Sequence, residues 1–451
     1  MTQTNPPAAR PAAGGYRSTV AIHTHGCKLN QADSDTLARC FTEAGYHIVD
    51  WPAGADVLVL NTCTVTATAD AKARQALRAA RRSNEKPLIV ATGCYAERAT
   101  QDLERLGPDI LVMGNTRKDQ LVSAVTAILA GRDGIRSAPS PIGKERDQLD
   151  ADTVLSASGR SRAMIKIQEG CDQVCAYCIV PKVRGRERSV HPDTVVQQIC
   201  RRVDRGCREV VLTGTQLGAY GYDIAGASLL TLLQRILAES AVPRIRVSSL
   251  QAQEITPELL ELWADRRLCP HFHVPLQSGS DRILAAMRRR YDTARFARAV
   301  ELVRRTVPDA GVTTDLIVGF PGEGGGEFRE SHRFAQSMQF SDMHIFPYSS
   351  RPGTSAAYFV GAVPDPAKKA RAAEMLEVAA EDFEAFRRRQ LGLTRPVLWE
   401  AARESGPIPV WSGLTDNYIR VSIEDRRDLR NTITPTRLLD LAGNWVTAQA
   451  P

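Results

Sequence analysis

The sequence predicts an α/β protein in three parts: an N-terminal doubly wound parallel sheet, a central partial (β/α)6 barrel and a small C-terminal all-β barrel. Three observations carry this. Residues 18–130 alternate short apolar runs with helical patterns, and a second such series begins at Arg162. Strand–helix alternation calls for parallel strands joined by right-handed crossovers. After Gly392 the helical period is lost and short apolar runs are separated by Gly, Pro and Asp turns, the pattern of a small β-barrel.

In the first part, Thr19–Thr24, Asp56–Asn61, Leu88–Thr92 and Asp109–Met113 read as strands, and Asp33–Ala44, Ala69–Arg82 and Lys118–Leu129 as helices. In the second, the strands are Ala163–Gln168, Glu209–Thr213, Arg244–Ser249, Phe272–Pro275, Thr313–Val318 and Met343–Pro347. Helical patterns at Thr194–Arg205, Leu229–Ala238, Asp281–Met287 and Thr293–Arg305 lie between them, and Ala367–Arg389 reads as a long helix. In the third, Pro396–Glu400, Asn417–Ile423 and Val446–Thr447 read as strands. The expected boundaries are a disordered tail over 1–17, an α/β domain over 18–130, a linker over 131–160, the barrel over 161–389 and the β-barrel over 390–449.

Composition narrows the class. Ten cysteines in 451 residues are too sparse for a disulfide scaffold, so free thiols or metal ligands are expected. The Pro/Ala/Gly-rich start lacks the apolar core of a signal peptide. No run of eighteen apolar residues is present, so no spanning helix and no membrane partner are expected, and the protein reads as cytoplasmic. A net charge of +7 is compatible with nucleic acid without requiring it.

Six cysteines fall into two triplets. Cys171, Cys175 and Cys178 follow the first barrel strand at C-x3-C-x2-C spacing, on the carboxyl edge where barrel chemistry sits. Three thiolates on a cubic iron–sulfur cluster leave one iron free to hold a substrate or cofactor. Structural zinc usually takes four protein ligands, and no fourth Cys or His stands at close spacing. Zinc and plain free thiols are the competing readings. Cys27, Cys63 and Cys94 each lie just past a different strand of the first sheet. That edge is where ligands bind in open α/β sheets, so a second shared metal site is expected over three unrelated buried thiols. Cys40, Cys200, Cys207 and Cys269 read as core or surface thiols.

Other candidates lie on the same barrel rim. Gly214, Thr215 and Gln216 follow the second strand, Gln277 and Ser278 the fourth, and Gly319 the fifth. Gly permits close backbone approach, and Gln and Ser supply hydrogen-bonding groups. Lys182, Arg184, Arg186 and Arg188 form a basic run beside the cysteine loop, suited to phosphates. Arg288–Arg290 and Arg387–Arg389 read as solvated faces. From residue 390 onward seven basic residues balance seven acidic ones, so no strongly basic RNA platform is evident.

The Cys171–Cys178 loop, with Tyr177 before its last cysteine, resembles the radical S-adenosylmethionine (SAM) enzymes. Further motifs are Val180-Pro181, Arg184–Arg188, Pro275–Ser280 and Gly319–Glu323. With both cysteine triplets, they make nearly the whole chain after residue 18 resemble the methylthiotransferases. The resemblance implies two [4Fe–4S] clusters, one on Cys27, Cys63 and Cys94 and a SAM-binding one on Cys171, Cys175 and Cys178. Tyr177, Gly214, Thr215, Gln216, Gln277, Ser278 and Gly319 would shape the SAM pocket, and Lys182, Arg184, Arg186 and Arg188 would contact RNA. It also implies a radical-SAM barrel, a C-terminal TRAM domain, a tRNA anticodon stem-loop as substrate and an electron donor such as flavodoxin or ferredoxin. Two SAM molecules would be used, one as methyl donor and one as radical source.

Within the family, Gly26-Cys27-Lys28-Leu29-Asn30 and the Leu-Gly-x-Tyr-Gly ending at Gly221 look like the branch acting on carbon 2 of N6-threonylcarbamoyladenosine next to the anticodon. Isopentenyladenosine and a ribosomal-protein aspartate are the alternative targets, and a non-catalytic RNA-binding metal module is the alternative of another class. Gln251, where the family commonly has Glu, and Gly324–Gly326, in place of a more acidic helix start, depart from the pattern.

Overall fold

A computed structural model describes residues 18–51, 54–82, 86–132, 161–404 and 406–450. The expected tail and most of the expected linker lie outside them. The first five strands are β1 (Thr19–Thr24), β2 (His47–Val49), β3 (Val57–Thr62), β4 (Leu88–Gly93) and β5 (Ile110–Met113). They form one sheet in the order β2-β1-β3-β4-β5, with every pair parallel. β3 and β4 are buried along their full length, as expected of central strands covered on both faces. The edge strand β2 has three half-buried residues and no alternation to betray it in the sequence. Helix α1 (Lys28–Glu43) starts five residues before its apolar pattern does, immediately after Cys27.

The barrel strands are β6 (Arg162–Lys166), β9 (Glu209–Thr213), β10 (Arg244–Val247), β11 (His271–His273), β12 (Gly311–Val318) and β13 (Asp342–Pro347); β7 (Gln168–Glu169) and β8 (Arg188–Ser189) form a small ribbon. They make two three-stranded parallel sheets, β10-β9-β6 and β11-β12-β13, linked by the bridge Ser249↔His273. No pairing joins β6 to β13, so the barrel is open there, and α1 lies against β6. The helix Gly325–Met338 was hidden in the sequence by its three glycines; Glu327 Oε2 accepts the Gly324 N–H at 2.9 Å and starts it.

The C-terminal strands β14 (Thr394–Arg403), β15 (Val410–Thr415), β16 (Arg420–Glu424), β17 (Ile433–Ala442) and β18 (Trp445–Gln449) close a barrel in the order β14-β15-β16-β18-β17. Two of these strands escape the sequence reading. Gly413 interrupts β15, and Pro435 stands in β17, directly opposite Pro396 of β14. A proline cannot donate to a ladder and so demotes a strand pattern. Among the described residues no helix is long and apolar enough to cross a membrane.

The small barrel is bound to the base of the large one by buried charge. Glu209 at the start of β9 accepts Arg246 Nε at 2.9 Å and meets Arg244 Nη2 at 2.7 Å. Both guanidiniums also donate to carbonyls of Leu414, Thr415 and Asp416. Burial alone would raise the Glu209 pKa, yet the two arginines hold it at about 2. Glu209→Ala leaves two buried cations without their counter-ion and should cost about 3–5 kcal/mol in denaturant unfolding. The folded-state value is depressed, so the contribution of Glu209 is present above its ordinary value of 4.5. It should disappear as pH falls towards about 2.

Candidate functional site: two cysteine triplets across one cavity

The first triplet is assembled by three turns at the carboxyl edge of the N-terminal sheet. Gly93 (φ +92°) ends β4, and a Cβ there would lie 2.4 Å from the Thr62 carbonyl oxygen; only glycine brings Cys94 this close to the Cys63 strand. Gly26 (φ +103°) does the same for Cys27, since a Cβ on it would lie 2.7 Å from Cys63 Cβ. The Asn30 amide ties the two turns together, donating to the carbonyls of His25 at 2.7 Å and Thr62 at 3.1 Å. Asn61 Nδ2 in turn donates to Asn30 O at 2.8 Å. Burial pushes the Cys63 thiol up to about 11, with Cys94 and Cys27 both close enough to add to the shift.

The second triplet sits in the loop after β7. Cys171 Sγ lies 3.2 Å from Gln216 Oε1, and Arg289 Nη1 lies 3.4 Å from Cys175 Sγ. Burial raises Cys171 to about 11 and Cys178 to about 12, and each feels Cys175. Alone, these thiols are neutral at pH 7; ligation to a metal centre displaces their protons.

The donor geometry does not favour a single tetrahedral ion at either triplet. In tetrahedral zinc thiolates, with Zn–S near 2.3 Å, the sulfurs stand about 3.8 Å apart. Among the described residues, the group of three ligand-type side chains whose donor atoms all lie within 4.8 Å of one another is His273, Asp315 and His344. Neither cysteine triplet closes that tightly, which suits a cluster wider than one ion. Beside the second triplet, Thr215 Oγ1 is buried without a hydrogen-bond partner, a polar atom left for a ligand.

Cys178 of the second triplet and the two residues that follow Cys63 by two and three positions line one cavity of about 250 Å3. Val65 and Thr66, just after Cys63, line one side; Tyr177 and Cys178 line the other, with Gln277, Asp315 and Phe346 among the rest. That volume is near the lower end of small-ligand pockets, about 300 Å3. The rims also touch directly, because Ile179 and Val183 of the helix after Cys178 pack on Cys94.

Residues 19–114 match the Uncharacterized protein family UPF0004, and residues 165–335 match the Radical SAM superfamily. The chain is 38% identical over 412 residues to the threonylcarbamoyladenosine tRNA methylthiotransferase MtaB of Aquifex aeolicus, covering 91% of this chain and 98% of that one. Identity to the Bacillus subtilis protein of the same name is 36%, with 94% of each covered. The tRNA-2-methylthio-N(6)-dimethylallyladenosine synthase of Endomicrobium trichonymphae is 33% identical, with 90% and 94% covered. The chain belongs to the radical-SAM methylthiotransferase family. The solved radical SAM methyltransferase TsrM of Kitasatospora setae, with cobalamin and a [4Fe-4S] cluster bound, shares the fold at TM-score 0.55 and 15% identity, over 75% and 76% of the two chains.

As a methylthiotransferase the chain uses a [4Fe–4S] cluster and SAM, and its expected pocket residues divide by what they touch. Gln277 (φ +69°) lines the cavity together with Tyr177. Gly214, Thr215 and Gln216 form a turn held from below by Gln168, whose Oε1 accepts the Thr215 and Gln216 N–H groups at 2.9 Å each. Ser278 does not face the cavity: it is fully buried, with Oγ 3.1 Å from Ser331 Oγ. Gly319 (φ +74°) packs its backbone against the Lys368 stem, and its N–H donates to Glu323 Oε1 at 2.9 Å. Both shape the loops from behind.

The basic run is corrected in one place. Arg184 is 5% exposed. Its guanidinium donates to Glu169 Oε1 at 2.7 Å, Asp33 Oδ2 at 3.2 Å and Asn30 Oδ1, so it is not available to a phosphate. Burial works against its charge, but Cys94, Asp33, Cys27 and Glu169 hold the proton well above the ordinary value. Lys182, Arg186 and Arg188 are exposed. Neither later arginine cluster is purely a solvated face. Arg289 turns in to Cys175, and Arg387 is buried and donates to the carbonyl of Gly443. Gln251 links this side of the loop: its Nε2 donates to Gln173 Oε1 at 3.2 Å and its Oε1 accepts Arg289 Nη2 at 3.2 Å. A carboxylate could not make the first of these bonds, which gives the glutamine its reason.

The sequence reading missed the trio His273, Asp315 and His344. They stand on adjacent strands β11, β12 and β13, and no motif spacing in the chain brings them together. Arg184→Ala should lower stability by about 3–5 kcal/mol, because it strips Asp33 of a buried partner. It should leave the salt dependence of RNA binding unchanged. Arg186→Ala should leave stability alone and reduce that slope by about one charge. Thermal unfolding and a salt titration of binding read the two effects separately.

Proposed function

We propose that the chain adds a methylthio group to carbon 2 of N6-threonylcarbamoyladenosine next to the anticodon of tRNA. The observation that carries this reading is the cavity between the domains, lined by Cys178 on one side and by Val65 and Thr66, just after Cys63, on the other. Its fine target follows the names of its relatives at 36–38% identity. Cys27, Cys63 and Cys94 would hold one [4Fe–4S] cluster, and Cys171, Cys175 and Cys178 the SAM-binding one. When bound, these groups and two SAM molecules supply the radical, the sulfur and the methyl group.

The protein's own part is position and exclusion. Tyr177, Ile317, Phe346 and Val65 give the cavity apolar walls that keep water from a reactive centre. An aromatic C–H has no useful acid–base route, so the base must come to the site itself, out of its stack and into the cavity. Gln277 and the open hydroxyl of Thr215 are the polar groups at hand to orient SAM. Lys182, Arg186 and Arg188 stand outside the cavity as contacts for the flanking phosphates. Reduction would come from a donor such as flavodoxin or ferredoxin, in the cytoplasm where tRNA is modified.

Nucleoside mass spectrometry of a strain lacking the protein tests this. The expected profile loses 2-methylthio-N6-threonylcarbamoyladenosine and retains its unmethylthiolated precursor. Loss of the isopentenyl counterpart instead would reassign the target. Purified Cys63→Ala should retain iron for one cluster, still cleave SAM and produce no methylthiolated RNA. Methylthiolation at the unaltered rate would remove the N-terminal triplet from the reaction.

A further inference from the structure

Below the cavity the open barrel holds a set of polar groups that the proposed chemistry leaves unused. Asp315 forms part of the cavity floor. It accepts His273 Nε2 at 3.1 Å through one oxygen and His344 Nδ1 at 3.1 Å through the other. His273 uses its second nitrogen on Thr313 Oγ1 at 2.9 Å, so both its nitrogens are engaged. His344 has no second partner among the described residues; its Nε2 is left open. Although on the inner face of β13, alternating with the buried Met343, the His344 side chain is 56% exposed. The barrel is therefore open in front of it. Phe346, two residues on along the same face, lines the cavity.

Lys28 enters this space from the other domain. It opens α1, the helix lying against β6 beside the gap of the barrel. Its ammonium stands 5.8 Å from the ring centre of Tyr418, which stacks on His271 at 4.3 Å. No hydrogen bond or ion pair to Lys28 occurs among the described residues. Its charge is felt at both His271 and His344. Asp315 raises the His344 pKa through their hydrogen bond, which favours an imidazolium with Nε2–H outward. The Lys28 ammonium, without a hydrogen bond, and the open Nε2 of His344, whose other nitrogen is held by Asp315, thus leave two donors unused on the lumen side of a cavity sized for a small flat group. A buried or half-buried cation without a counter-charge is costly unless a ligand supplies one.

We propose that Lys28 and His344, backed by Asp315 and His273, form a carboxylate-binding subsite that receives the threonyl carboxylate of the modified base. The proposal rests on the functional reading above and adds the residues that would recognise this substrate's side group. A threonine joined to N6 through its amino group keeps a free carboxylate. With the adenine in the cavity, that group would hang into the barrel. An isopentenyl group has no charge to offer there, so the subsite discriminates by leaving the Lys28 ammonium and the His344 Nε2 donor without an acceptor. The trio's donors also suit a divalent cation, which would take the place of the hydrogen bonds between Asp315 and the two histidines.

The test uses reconstituted holoenzyme and three anticodon hairpins. One carries N6-threonylcarbamoyladenosine, one its methyl ester, and one unmodified adenosine. The wild type should bind the acid about ten-fold or more tightly than the ester, the worth of a charge-assisted hydrogen bond. Lys28→Met and His344→Phe should each remove most of that preference while leaving the unmodified hairpin's affinity unchanged, and Lys28→Arg should restore part of it. Iron content checks that Lys28→Met keeps its clusters; if it does not, His344→Phe, away from the cysteines, decides. Equal losses on acid and ester, or no loss on either, would overturn the subsite. So would a stoichiometric zinc or manganese lost on His344→Phe, which would make the trio a cation site. Wild-type activity on the threonylcarbamoyl hairpin without acid–ester discrimination would sink the subsite alone. Activity confined to an isopentenyl hairpin would sink the functional reading as well.

Discussion

Everything at the centre of this protein depends on one buried carboxylate. Asp33 lies in α1, its side chain 1% exposed, and meets three cations: Lys166 at 2.7 Å, Lys118 at 2.9 Å and Arg184 at 3.2 Å. One of these belongs to its own domain and two to the barrel. Burial alone would raise its pKa; the cations bring it well below the usual carboxylate range. Arg184 extends the contact to Asn30, whose amide fastens the turns of Cys27 and Cys63. Arg184 also closes the short helix that follows Cys178. A single ionic knot therefore joins the backbone of one cysteine triplet to that of the other. Buried ion pairs add little net stability, but separating one leaves an uncompensated buried charge, which is costly. Here that property sets the spacing between two rims, which apolar packing of Ile179 and Val183 on Cys94 would leave free to slide.

A second knot tethers the far side. Arg98 and Arg351 both meet Asp70 Oδ2 at 2.7 Å, and Arg351 comes from the segment after β13. The N-terminal domain is thus pinned to the barrel at both edges of the gap between β6 and β13. This explains why the barrel can stay open between β6 and β13 and still hold its shape. The missing barrel strands are replaced by α1 and the turns of another domain, and those turns carry Cys27, Cys63 and Cys94.

Much of this was legible in the sequence, and the failures share a cause. All six barrel strands to within two residues, the placing of the cysteines just past strand ends, and the order of the domains follow from local period and spacing. Arg184 was misjudged because a run of alternating cations looks the same whether it faces water or a partner domain. Only tertiary structure reveals that Asp33, 151 positions earlier, waits for it. Ser278 and Gly319 were placed on the correct rim, but a rim has two sides, and period alone does not say which side a loop residue takes. His273, Asp315 and His344 come from three strands whose neighbours are set by sheet order, so no local pattern could gather them.

The C-terminal barrel, with its balanced charge, poses the remaining question of purpose, and its contacts answer part of it. Arg395 is turned inward on Asp416 at 2.9 Å and Asp309 at 3.3 Å, whereas Arg427 pairs with Asp425 at 2.6 Å on the surface. Arg420 lies over the Trp445 ring at 5.7 Å. Its strongest attachment is to the base of the large barrel, where carbonyls of Leu414, Thr415 and Asp416 receive Arg244 and Arg246. From there Tyr418, at φ +79°, enters beneath the lumen and stacks on His271. Of its seven arginines, all but Arg395 stay exposed, so the domain keeps its cations outward while it also caps the lumen; a cap fitted by paired charge need not be basic.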